Sequence, residues 1–511
     1  MSPIPAILAI DQGTTGTTAL VVAQDGRILG RAYSEFTQHF PEPGWVEHDA
    51  LEIWNVTKGV SRRALTEAGE EALVEGVGIT NQRETVVLWD RETLEPVHRA
   101  IVWQDRRTVA ICSELRDRGL EREVRARSGL LLDPYFSGTK LTWLFRSRPE
   151  LRARAEAGDL AMGTVDSWLV ARLTHGSVHA TDHTNASRTL LYNLGSQSWD
   201  PELLRILEVP QEVLPEVRRS SGGFGFTAGE ELGIEVPVGG VAGDQQSALF
   251  GQGCWTEGLA KNTYGTGAFL LLHTGAERVE SHSGLLTTMA CDALGGPAYA
   301  LEGSVFIAGA AIQWLRDGLG IIEAAQDSEG LARSLSSNEG VYFVPAFVGL
   351  GAPHWDPNAR GTLVGLTRGT TGAHLTRAAL EAMAYSTADV IRAMERDSGV
   401  TARELRVDGG AALNDWLMGF QAGVLGVPVR RPALVETTAL GAAGLAGLET
   451  GVWDDGHGFM AALGEAKTFR PSMSEEERAP LLAGWRRAVA TAKSWSTWEG
   501  EGDRAVSKKE V

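Results

Sequence analysis

Three apolar runs in this chain end in short polar stretches suited to phosphate chemistry. The first run, Ala6–Ile10, ends at Asp11 and is followed by Gly13-Thr14-Thr15. A carboxylate at the end of a buried strand can hold a divalent cation, and a Gly/Thr turn offers backbone N–H groups and hydroxyls to phosphate oxygens. The same residues also suit a plain hairpin whose Asp and Thr only satisfy the turn. The second stretch, Asn262-Thr-Tyr-Gly-Thr-Gly267, follows the same logic. Two such loops, one in each half, suggest two lobes facing one nucleotide across a cleft. The third, Gly243-Asp244-Gln245-Gln246, follows Val241-Ala242. Asp244 could accept a proton from an attacking hydroxyl, or it could cap the helix that continues through Ser247-Ala-Leu-Phe250.

Arg83-Glu84 also stands at a strand end. Adjacent opposite charges can grip several hydroxyls of a polyol, although an isolated Arg-Glu pair more often lies solvated on a surface. Trp103 and Tyr135 read by default as core or interface aromatics. Other patterns carry less. Ser137-Gly-Thr-Lys140 lacks the first glycine of a P-loop, and Gly223-Phe-Gly-Phe-Thr-Ala228 follows Arg218-Arg-Ser-Ser-Gly, not a strand. His175, His179 and His183 have the spacing of a metal-binding helix face, but Gly176, Val178 and Thr181 argue against a helix there.

These residues need elements to hold them. Ala6–Val22 reads as a hairpin around the Gly/Thr turn, and Asp25-Gly26 turns into a further antiparallel strand. A helix is predicted over Ala50–Ala68 with Asp49 as its N-cap. Strands are predicted over Val74–Thr80 and Thr85–Asp90, and Gly163–Leu173 has helical spacing. The second half repeats the first in kind. It holds a strand into the Gly-Thr-Gly turn, the apolar strand Ala268–His273, an amphipathic helix over His374–Arg396 and a strand at Leu405–Gly410. A helix from about Asn414 and a small-residue helix over Ala439–Gly447 complete it. This repetition divides the chain into lobes 1–250 and 251–511, with the tail after Glu499 expected to be mobile.

Composition narrows the classes. The 511 residues allow two to four domains, and 43% hydrophobic with 22% charged residues is an ordinary globular balance. A net charge of −18 argues against a nucleic-acid partner. Cys112, Cys254 and Cys291 form no CxxC pair, which fits a reducing cytoplasm. No apolar run reaches the length of a membrane span, so no membrane insertion is expected.

The strings Asp11-Gln-Gly-Thr-Thr15, Gly78-Ile-Thr-Asn-Gln-Arg-Glu84, Ile101-Val-Trp-Gln104, Asp133-Pro-Tyr-Phe-Ser-Gly-Thr-Lys140, Thr184-Asn-Ala-Ser-Arg188, Gly243-Asp-Gln-Gln246, Lys261-Asn-Thr-Tyr-Gly-Thr-Gly267 and Arg406-Val-Asp-Gly-Gly410 occur in that order. This succession resembles the FGGY carbohydrate kinases. Asn81-Gln-Arg-Glu84 with Asp133-Pro-Tyr-Phe136 resembles glycerol kinases over other sugar kinases. The resemblance implies an α/β fold of two RNase H-like lobes, as in actin, hexokinase and Hsp70, with a nucleotide cleft between them. It implies ATP-dependent phosphorylation of glycerol with Mg²⁺, and a homo-oligomer, dimer or tetramer. By the same resemblance, Asp244 matches the general base and Asp11 the Mg²⁺ aspartate. Arg83, Glu84, Trp103, Tyr135, Asp244, Gln245 and Phe269 match substrate positions. Thr14, Thr15, Gly16, Thr266, Gly309, Gln313, Gly410 and Asn414 match nucleotide positions.

Two departures stand out. Many relatives continue the first loop with an arginine where this chain has Thr18, which removes one cation beside the phosphates. The segment Thr227–Val236 is acidic, whereas relatives that bind fructose 1,6-bisphosphate there carry a basic residue, and it holds no histidine. Control by that bisphosphate, or by a phosphohistidine, is therefore expected to be absent.

Overall fold

The computed structural model describes residues 2–497; the expectation for the tail after Glu499 lies outside the described residues. The first sheet contains β1 (Ile4–Gln12), β2 (Gly16–Ala23), β3 (Ile28–Glu35), β4 (Ala72–Asn81) and β5 (Val238–Gly243), in the order β5-β4-β1-β2-β3. β1 runs antiparallel to β2 and parallel to β4, and β4 is parallel to β5. The second sheet contains β6 (Leu259–Tyr264), β7 (Ala268–Gly275), β8 (Leu286–Cys291), β9 (Pro297–Val305), β10 (Glu404–Gly409), β11 (Val429–Arg431) and β12 (Lys467–Phe469). Its order is β8-β9-β7-β6-β10-β11-β12. Without the edge strands β8 and β12, the order and strand directions match those of the first sheet. The two lobes are thus both RNase H-like, as in the actin, hexokinase and Hsp70 fold.

The helices repeat too. α1 (Ala50–Ala68) crosses from β3 to β4, and its N-cap Asp49 accepts from the N–H groups of Leu51 and Glu52. α2 (Ser137–Ser147) and α3 (Val165–Leu173) follow β4. α3 starts two residues later than its spacing suggests, because Gly163 and Thr164 pair as strand with Val87 and Val86. α4 (Asp244–Gly251) leaves β5. In the second lobe come the short α5 (Gly309–Gln313), α6 (Gly372–Ser398), α7 (Asp415–Leu425), α8 (Thr437–Thr450) and α9 (Gly456–Ala462).

β1 shows why these segments fold as they do. Its Ala6–Ile10 run is fully buried, as expected of a central strand covered on both faces. Ala6, Leu8 and Ile10 share a core with Trp54 and Val60 of α1. Ile7 and Ala9 share another with Ala439, Leu440 and Ala443 of α8. The helix following the last parallel strand of the second sheet therefore lies on the first sheet. There α4 and α8 cross with almost no space between them: a Cβ on Gly441 would lie 1.9 Å from the Ser247 carbonyl oxygen. Only glycine allows that approach.

Candidate active site

Parallel neighbours β1, β4 and β5 end side by side, Gln12 opposite Asn81 and Asn81 opposite Gly243. The residues at or just past these ends are Asp11, Arg83-Glu84 and Asp244, gathered at the carboxyl edge where α/β sheets bind ligands. The Arg83-Glu84 pair is not solvated: the two residues are 3% and 1% exposed. Glu84 has φ 62°, a left-handed value unusual for a non-glycine residue. Such an outlier persists only when its surroundings over-determine it, and here the Ser137 hydroxyl donates to the Glu84 carbonyl.

Arg83 donates from both terminal nitrogens to Glu302 of β9, at 2.6 and 3.1 Å, and its Nε lies 3.1 Å from Asp244 Oδ1. Arg188 donates to Glu84 at 2.7 Å and to Glu302 at 3.1 Å. Two guanidiniums and two carboxylates form a buried ring that spans both lobes. Burial opposes ionisation of Glu302, but Arg188 and Arg83 overcome it and hold the carboxyl at about 2. Burial has the upper hand at Glu84 and raises it. Asp244 is the first residue of α4 and its side chain remains 32% exposed. It is the carboxylate of this group that opens outward. Burial, and after it the nearby Asp244 charge, raise Asp11 to about 7.

Strand alternation brings the second lobe to the same place. Lys261 and Thr263 of β6 pair across the sheet with Leu271 and Phe269 of β7, and these with Glu302 and Ser304 of β9. One face thus carries Lys261, Thr263, Phe269, Glu302 and Ser304. Lys261 donates to Gln245 Oε1 and to Thr263 Oγ1. Burial depresses its ammonium to about 8.

The aromatic residues also gather here. Trp103 Nε1 donates to Thr14 Oγ1 at 3.0 Å, and its ring meets Tyr135 edge-on at 5.4 Å. Ser137-Gly-Thr-Lys140, which failed as a P-loop, turns out to clamp the site. The buried Lys140 ammonium donates to the carbonyls of Pro134, Tyr135 and Phe136 at 2.6, 2.7 and 3.1 Å. This holds the loop bearing Tyr135. Behind the first loop, Gln82 donates to Gln12 Oε1 and the Gly13 carbonyl, and Gln38 donates to the Thr14 carbonyl. Gly13 N–H closes the turn onto the Gly16 carbonyl at 2.9 Å. Thr15 is exposed, whereas Gly16 is buried, with space for a Cβ filled by Ser34 and Tyr33.

The remaining expected nucleotide residues form two groups on the second lobe. Thr266 and Gly309 meet directly: the N–H groups of Ala308 and Ala310 donate to the Thr266 carbonyl, and Gly309 N–H donates to Gly265. Gln313 ends the same short helix and is exposed. Gly410 is exposed beyond β10. Asn414 caps α7, accepting from Leu417 N–H at 2.9 Å. Gly409 ties this group to the loop, since a Cβ there would lie 2.1 Å from the Tyr264 carbonyl.

Residue-type reading did not assign Glu302, Arg188, Lys261 or Lys140 to the site. The available signal was a charge inside an apolar strand: Glu302 follows Ala298-Tyr-Ala-Leu301, and Lys261 follows Leu259-Ala260.

Two family models match in tandem, the N-terminal domain of the FGGY family of carbohydrate kinases over residues 6–251 and its C-terminal domain over 260–450. The chain belongs to this family. A glycerol kinase of Deinococcus radiodurans is 57% identical over 97% of this chain and 99% of its own length. One from Petrotoga mobilis is 53% identical over 96% of the chain and 98% of the relative. The crystal structure of Plasmodium falciparum glycerol kinase with ADP aligns with a TM-score of 0.92 at 34% identity, covering 96% of this chain and 99% of that one. A gluconate kinase from Lactobacillus acidophilus, 20% identical with a TM-score of 0.85 over 96% and 98%, shares the fold. As an FGGY kinase, the chain is an enzyme that phosphorylates, and the converging strand ends form its candidate centre.

Proposed function

We propose that the chain transfers the γ-phosphoryl group of ATP to glycerol, giving ADP and sn-glycerol 3-phosphate, with Asp244 as general base. The observation that carries this reading is the buried Arg83–Glu84 pair beside the outward-opening Asp244 carboxylate. Fixed charges can hold neighbouring hydroxyls of a small polyol, and an analogue lacking one would leave them unpaired. Tyr135 and Gln245 add polar contacts, while Trp103 and Phe269 form walls for the carbon chain. The terminal hydroxyl would lie against Asp244, which orients it and takes its proton as the phosphorus–oxygen bond forms. Positioning and charge stabilisation account for most of such a transfer.

Thr14, Thr15 and Gly16 on the first lobe, with Thr266 on the second, would line the phosphates. Gly309, Gln313, Gly410 and Asn414 would border the nucleoside. We assign the glycerol site to a lobe of residues 1–250 and the adenosine site to residues 251–511. The donor set fits Mg²⁺ bound with ATP: one carboxylate, Asp11, stands at the end of β1 beside the Gly13-Thr14-Thr15 loop. Mg²⁺ bound with ATP characteristically uses one or two carboxylates, with phosphate oxygens and water as its other ligands. Asp11 would hold it, and the ion would neutralise charge on the phosphates. Lobe closure about the α4–α8 crossing would exclude water. The three cysteines are unpaired and buried, which suits a cytoplasmic setting.

A substrate panel tests the assignment. Glycerol, dihydroxyacetone, erythritol and xylulose are compared in a coupled ADP-release assay. Glycerol should give the highest kcat/KM; a higher value for xylulose or erythritol overturns the substrate, and turnover of none overturns the enzyme.

A further inference from the structure

A cavity of about 330 Å³ lies at the end of α4 opposite Asp244. With a rise of 1.5 Å per residue, the eight-residue helix separates Asp244 from the cavity by ~10 Å. Residues of the second lobe build it: the stretch from Gly251, the strands β10 and β11, and the helices α8 and α9.

Two arginines line it. Arg406 of β10 and Arg430 of β11 are register partners on parallel strands, so their side chains leave the same face of the sheet. Glu404 shares that face. It accepts from Arg406 Nε at 2.7 Å and lies 3.6 Å from Arg430 Nη1. One carboxylate thus serves two guanidiniums; Arg406 Nη1 also donates to the Gln252 carbonyl, which leaves its Nη2 for a ligand. Arg430 Nε is buried with no hydrogen-bond partner among the described residues, as are both side-chain amide atoms of Gln252, a residue 1% exposed. Buried polar groups in folded proteins are nearly always paired. The other walls are mostly apolar, including Trp255, Leu434, Leu440, Met460 and Leu463, with Thr256 and His457 as further polar lining.

We propose that this cavity binds a small monocarboxylate with an apolar body, its carboxylate held by Arg406 and Arg430. An arginine fork matches carboxylate geometry. Two cations against Glu404 leave one positive charge, which a monoanion balances; a phosphate dianion would exceed it and face the Glu404 carboxylate. The volume falls within the small-molecule range of about 300–1,000 Å³. The apolar walls suit a short alkyl chain or a single ring.

Isothermal titration of the full chain tests this, with ADP and glycerol at saturation so that the cleft is occupied. The probes are hexanoate, phenylacetate, hexan-1-ol and inorganic phosphate. Hexanoate or phenylacetate should bind once per chain, with hexan-1-ol and phosphate about tenfold weaker or more. Arg430→Gln should weaken the acid by about tenfold. Ala461→Phe, an exposed position lining the cavity, should abolish binding by filling the space while leaving both arginines. Binding of neither acid overturns the proposal. So does hexan-1-ol or phosphate matching the acids, or wild-type affinity in both variants.

Discussion

Replacing Glu302 by Gln would keep the shape of the side chain and remove its charge. Arg83 and Arg188, 3% and 0% exposed, would then share only Glu84 and the outward Asp244 as counter-charges. Two arguments give the size of the loss. Removing one partner of a buried ion pair costs roughly 3–5 kcal/mol. The Glu302 carboxyl is held at about 2 against an ordinary 4.5, which at 1.36 kcal/mol per pH unit is about 3 kcal/mol. The expected loss is therefore about 3 kcal/mol at about pH 7, read from urea unfolding. A depressed carboxylate contributes its full stabilisation above its unfolded value and loses it as pH falls. The gap between wild type and variant should thus narrow as pH falls from 4.5 toward about 2. Arg83 would also lose its two-pronged anchor, so the KM for glycerol should rise about tenfold while that for ATP stays put. A stability change within ~0.5 kcal/mol, with an unchanged glycerol KM, would refute the reasoning.

Asp244→Asn should lower turnover about 10²–10⁴-fold and leave ATP affinity intact; a variant retaining most of its rate rejects Asp244 as the base. Lys140→Met deprives three carbonyls of their shared donor. It should cost roughly 2–4 kcal/mol by urea unfolding and raise the glycerol KM through Tyr135; wild-type values for both would remove Lys140 from the positioning scheme. Gly441→Ala inserts a Cβ 1.9 Å from the Ser247 carbonyl. It should cost about 1–3 kcal/mol and lower kcat by shifting α4, which carries Asp244; an unchanged urea midpoint contradicts the tight crossing. Titrating fructose 1,6-bisphosphate should leave the rate unchanged. Glu231 is taken up by Lys58 and His175, while Glu230 remains 71% exposed. A marked loss of activity would show that this segment accepts the anion after all.

Much of the scaffold was legible because its signals are local. Asp49 capping Ala50–Ala68, the turn at Asp25-Gly26 and the strands into both Gly/Thr loops follow from neighbours a few residues apart. Helical spacing extends back to Gly163, but strand pairing of Gly163 and Thr164 with Val87 and Val86 outweighs it there. Arg83-Glu84 as a bare dipeptide resembled a surface pair; burial made it a site.

Where strands stop and which loops carry glycine, threonine and aspartate follow from alternation and turn chemistry, which act over a few residues. That Glu302, 219 residues beyond Arg83, meets it, and that α8 lies on the first sheet, depend on the packed fold. Such meetings depend on register: a slip of one residue in β9 would turn Glu302 to the opposite face of its sheet, and no local pattern records which register a distant strand will take.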